Sequence, residues 1–149
     1  METSILSAVF HAVPESIALV FLALVLLRAK VNWSIILMLG VVQAFAVFLV
    51  RQLPFLTFGV HTVILVLILI ALVICISKQK FLKVAFVVLL SFTVLLLFEF
   101  IITYTFVFVT GISFDVLVED QLLKIVMGTP QWILVFLVGF IIQHFRSKK

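Results

Sequence analysis

The chain has 149 residues, 66% of them hydrophobic and 11% charged, with a mean hydropathy of +1.52. Soluble domains average about 45–50% apolar and about 25% charged, so a soluble fold is excluded, and there is room for one membrane domain only. The net charge of +4 does not point to nucleic acid, because the basic residues stand in short loops between apolar runs, where they set membrane orientation. The single cysteine, Cys75, excludes an internal disulfide and a multi-cysteine metal site; within an apolar run it reads as an inert small side chain.

The N-terminus, METS, lacks the basic region of a signal peptide. The first predicted span is 5–27, stopped by Arg28 and Lys30. It contains HAVPES at 11–16, where Pro14 predicts a kink or a fresh helix start. The second span is 33–50. Gly40 and Ala44 have the small-xxx-small spacing that lets another helix approach closely, and Gln43 is its one strongly polar residue. A loop, RQLPFLTFG at 51–59, follows with Pro54 and Gly59 as breakers. The third span, 60–77, carries His61 near its start and ends at Lys78, Lys80 and Lys83.

The fourth span is 84–109. Its stretch Val87–Phe106 is long enough to cross a hydrocarbon core of about 30 Å and carries one charge, Glu99, so the chain is expected to be organised around it. Residues 113–127 show apolar positions at helical spacing with Asp115, Glu119, Asp120 and Lys124 between them. This predicts an amphipathic helix lying in the interface, with Ser113 as N-cap and Gly128 just past its end. The fifth span is 130–145, capped by Thr129, with Pro130 in its first turn and Arg146, Lys148 and Lys149 at its end.

The fold expected is thus an all-α integral membrane protein in the cell membrane, a single domain over 1–149 with five spans and one interfacial helix. With the N-terminus outside, eight basic residues face in and two, Arg51 and Lys124, face out, which predicts N-out, C-in.

Counting helical rise from the basic boundaries puts Glu15 and Gln43 about 20 Å, and His11, His61 and Glu99 about 25 Å, from the inner side. A charged side chain at such depth needs a partner or a wet cavity. His11 and Glu15 are four residues apart on one helix face, and Glu99 and Thr103 are related in the same way, with Tyr104 beside them. Arg51 reaches inward along its aliphatic stem. The predicted ligand site is therefore an outward-facing polar cavity of Glu15, Glu99, His61, Arg51, His11, Gln43, Thr103 and Tyr104, with helix 113–127 as a partial lid. The plainer reading of these groups is hydrogen-bonding glue between helices. A metal site is not expected, since no compact ligand motif supports one; neither a cofactor nor an enzyme activity is expected, since no HExxH, GxSxG, P-loop or GxGxxG is present.

The segments VVQAFAVFLVRQLPFLTFGVHT (41–62), HAVPES near the start and GTPQWILV (128–135) resemble the N-terminal multi-span sensor regions of GHKL-type sensor histidine kinases of Gram-positive spore-forming bacteria. That resemblance implies a sensory domain that receives a signal in the membrane. It also implies a separate cytoplasmic kinase or other signalling partner, since the chain carries no phosphoacceptor helix and no ATP site. Three readings follow. The first is a sensory or accessory receptor-like domain binding a small ligand or peptide. The second is a small transporter or permease subunit using Glu15 and Glu99. The third is a structural protein acting by helix packing as a homo-oligomer in the lipid bilayer.

Overall fold

A computed structural model describes residues 11–30, 32–52, 60–113 and 120–148. Five helices follow one another: α1 (Val13–Leu26), α2 (Trp33–Arg51), α3 (Val60–Ser77), α4 (Phe81–Thr110) and α5 (Gln121–Ser147). Among the described residues there is no strand. Four of the helices are long and apolar enough to cross a membrane: α2, α3, α4 and Ile125–Ser147 of α5. The protein is therefore an α-helical membrane protein. The fifth expected span is the shorter α1, whose 14 residues rise about 21 Å.

Sequence expectation and structure part at the organising element. It is α1, not α4. Every residue from Ala18 to Val25 is at most 3% exposed. Such all-round burial needs walls on all sides, and α1 packs against each of the other four helices. Those four form a palisade in which α2 packs on α3, α3 on α4 and α4 on α5. No comparable packing joins α5 back to α2, so the palisade has a seam. By contrast α4 turns most of its surface outward: Phe86, Phe100 and Phe108 are all more than two-thirds exposed. Its buried positions are Val84, Val87, Val88, Ser91 and Leu95, all in its first half.

Close contacts fix the register. A β-carbon on Gly40 of α2 would lie 2.8 Å from Cα and 3.0 Å from the backbone nitrogen of Ile17, so the expected small-residue approach is made, and it is made onto α1. On α5, Gly128 faces His11 and Gly139 faces Phe21, so α5 runs parallel to α1. Trp33 stacks on Phe21 at 5.2 Å, so α2 runs antiparallel to it.

Pro14 acts as anticipated: a π-helical turn at His11–Ala12 leads into a new α-helix from Val13. The other end of α1 closes in a Schellman motif. Arg28 adopts φ 59°, its N–H donates to Val25 O and the Ala29 N–H donates to Leu24 O, both at 3.1 Å. An Arg146 guanidinium N–H also donates to Val25 O, pinning the far end of α5 to the far end of α1.

The expected break between an interfacial helix 113–127 and a span 130–145 is a second correction. From Gln121 to Ser147 the helix is continuous, with Pro130 inside it. Proline at 130 removes the N–H that would donate to Val126 O, and the helix runs on past that missing bond. Thr129 does not cap; its hydroxyl donates to Ile125 O at 2.8 Å. Asp120 caps the described helix, accepting from the Leu123 N–H at 3.3 Å, while the expected cap at Ser113 leads into residues outside those described. Residues 114–119, including Asp115 and Glu119, and the 53–59 loop with Pro54 and Gly59 lie outside the described residues.

One end of the bundle is acidic and the other basic. All six acids lie at positions 2, 15, 99, 115, 119 and 120, so none occurs in 16–98 or 121–149. The described acids stand at the end where α1 and α5 begin. The connections α1–α2 and α3–α4 and the end of α5 carry eight of the ten basic residues; Arg51 and Lys124 stand at the acidic end.

Candidate functional site

The acidic end is assembled from three helices. The π turn and first α turn of α1 place His11 and Glu15 on one face, and His11 Nε2 lies 3.3 Å from Glu15 Oε2 with the two side chains 25% and 20% exposed. Arg51 closes the last turn of α2. Glu99 stands on α4 one turn beyond Leu95, the last buried residue of that helix, and remains accessible. These four groups share one electrostatic neighbourhood: the charge of Arg51 acts on His11, Glu15 and Glu99, and that of Glu99 acts on His11. The charge of Glu15 acts in turn on Glu99.

The seat for His11 is Gly128 of α5. A β-carbon there would overlap Cε1 and Nδ1 of the imidazole, so any larger residue would displace the ring from its present place. Four residues further along, Trp132 occupies the same face of α5. His11 Nδ1 and Trp132 Nε1 are both buried without a hydrogen-bond partner among the described residues. Buried polar atoms are normally satisfied, so two such atoms on α1 and α5 mark this end as a place where a polar group fits.

No family model, curated protein or solved structure matches the chain. Its site must therefore be read from its own geometry.

The remaining predicted residues divide. Gln43 is 1% exposed, and its side-chain amide donates to Leu65 O of α3 at 3.1 Å. That bond joins α2 to α3, which is the glue role, although Oε1 is buried without a partner among the described residues. His61 is half-buried at the start of α3, and Thr103 is half-buried one turn beyond Glu99. Tyr104 is 65% exposed and stacks on Phe100 at 6.2 Å. It lies about 140° around α4 from Glu99 and so faces away from the cluster. Among the described residues no group of three or more His, Cys, Asp or Glu side chains could hold a metal.

Sequence reasoning missed Gly128, taken as the residue just past a helix end, and gave no role to Trp132. The signal was present. Gly128, Trp132, Val135 and Gly139 fall on one helix face, but the assumed break at Pro130 hid the continuity of that face.

Proposed function

We propose that the protein is a sensory or accessory receptor-like domain of the cell membrane. In this reading a small ligand or peptide enters from outside at the acidic end, and the N-out, C-in orientation follows from the basic residues at the opposite end. The observation that carries the reading is the His11–Glu15 pair, 3.3 Å apart at the head of the helix that packs on the other four, with the charges of Arg51 and Glu99 reaching it. Two carboxylates against one guanidinium leave room for a further positive charge, so the ligand carries a cationic group.

The transmitted change is a small displacement of α1. Its head sits in the site through His11 and Glu15. Its tail is held by Arg146 and leads into the Arg28–Lys30 connection. A ligand shifts α1 only by binding one placement of it better than another. A cytoplasmic partner then reads the change at the basic end.

The test is ligand-dependent thermal stability in lipid nanodiscs, scanned with small amines and basic peptides. Ligand at a hundred times its Kd stabilises by about 2.7 kcal/mol. Glu99→Gln is expected to abolish that stabilisation while leaving the unliganded melting point within a few degrees. Stabilisation that survives both Glu99→Gln and Glu15→Gln would refute the site. Uptake of the same ligand into proteoliposomes, abolished by Glu99→Gln, would replace the receptor by a carrier, for which the interrupted helix at Pro14 is the supporting feature.

A further inference from the structure

The seam between α5 and α2 is closed by rings rather than by backbone packing. Phe21 of α1 lies beneath it, 5.2 Å from Trp33, 5.7 Å from Phe136 and 4.9 Å from Phe140. Over these rings runs a shallow groove of about 420 Å³, lined by Trp33, Trp132, Ile133, Phe136, Leu137 and Phe140. Trp132 to Phe140 is eight residues, about 12 Å along α5. The groove is wholly apolar in its lining, and its axis follows the helices, as an acyl chain would in a membrane.

What stands at its lower end makes it more than an apolar face. Trp33 opens α2, directly after the connection that carries Arg28 and Lys30, both exposed. Phe140 leads within two turns to Arg146, which the Val25 carbonyl holds beside the end of α1, and then to the exposed Lys148. Basic residues from two chain segments thus converge where the groove ends, and neither segment contains an acid to neutralise them. The start of α2, where Asn32 Oδ1 accepts from the Ser34 N–H at 3.0 Å, lies at the same end. Apolar rings flanked by Lys and Arg at one level match the two parts of one molecule, a chain and a negative headgroup.

We propose that the α5–α2 seam is a binding site for an anionic phospholipid of the leaflet facing the basic end. One acyl chain lies along the Trp33–Phe140 groove, and Arg28, Lys30 and Lys148 hold the phosphate. The charged groups of the two sites are distinct, and Trp132, at the groove's upper end, is the one residue that borders both. The lipid completes the palisade around α1.

The two tryptophans of the chain both line the groove, which makes the test direct. The protein is reconstituted in bilayers of fixed anionic fraction in which the bromine-labelled lipid is either the anionic or the zwitterionic component, and intrinsic tryptophan fluorescence is read. Quenching by the brominated anionic lipid is expected to exceed that by the zwitterionic one at least two-fold at equal mole fraction. Trp132→Phe leaves Trp33 as the sole reporter and is expected to keep the preference. Arg28→Gln combined with Lys30→Gln is expected to remove it. Lys78→Gln with Lys80→Gln, which removes two bases from the α3–α4 connection away from the seam, is expected to leave it intact. Equal quenching by both lipids in the unmodified protein overturns the proposal. So does an absence of quenching by either, which would show the groove covered by protein, as in a dimer of this chain.

Discussion

Gly40→Ala tests the placement of α1 most directly. The added β-carbon would meet Ile17 at its backbone, 2.8 Å from Cα and 3.0 Å from the nitrogen. Carbon atoms settle at about 3.5–4.0 Å, so the contact must open by roughly 0.7 Å, and no rotamer change of Ile17 relieves it. A gap of 0.5–1 Å forfeits about a quarter to a half of each dispersion contact it widens. Leu39 and Ala44, 3% and 4% exposed, share the α1-facing side of α2 and lose contacts with it. Overpacking of this kind costs about 1–3 kcal/mol, set against a gain of up to about 1 kcal/mol in helix propensity. A net loss of about 1–2 kcal/mol is expected. Unfolding by denaturant in mild detergent micelles measures it. Gly111→Ala serves as the comparison, since nothing lies within 4 Å of the added carbon there, and its cost comes from φ 67° alone, about 1 kcal/mol. If Gly40→Ala raised stability, as propensity alone predicts, the backbone approach of α2 to α1 would be wrong.

Other consequences are as definite. Arg28 holds a left-handed conformation at φ 59°, which costs a non-glycine residue about 1 kcal/mol, so Arg28→Gly is expected to stabilise the bundle by roughly that amount in the same assay. Gln43→Met removes the bond to Leu65 O together with an unpartnered buried oxygen, so its net effect is expected to stay within about 1 kcal/mol, whereas Gln43→Ala leaves a cavity and costs about 2 kcal/mol or more. Orientation is checked with a membrane-impermeant maleimide on intact cells in a Cys75→Ser background: Ser113→Cys is expected to label, and Gln79→Cys only after permeabilisation.

Much of the fold was legible because lipid leaves a chain few choices. The bounds of α3 coincide with the expected Val60–Ser77, since an apolar run between breakers and a lysine cluster admits one reading. The His11–Glu15 pairing and the Gly40 approach followed from helical spacing. Two things were not legible. Apolar residues facing lipid and apolar residues facing other helices look alike, so the long α4 outweighed the short α1 when it was α1 that lay enclosed. Likewise, Pro130 reads as a helix start, and only the Thr129 hydroxyl bond and the His11 ring against Gly128 make clear that the helix runs through it. In the candidate site, residue type located the charges, but which face each helix turns inward is set by packing. That is why Gln43 is spent on α3 and Tyr104 points outward.

The Arg146 contact with Val25 joins residues 121 positions apart. A ribosome adding about 5–20 residues per second needs roughly 6–24 s to cover that distance. For that interval α1 waits in the bilayer without the wall that α5 supplies, its histidine and glutamate unsheltered. Completion of the bundle thus depends on α5, which brings the glycine seat, the aromatic seam and the latch together. A chain interrupted within α5 would leave α1 open along one side, with His11 and Glu15 lacking the wall that carries Gly128.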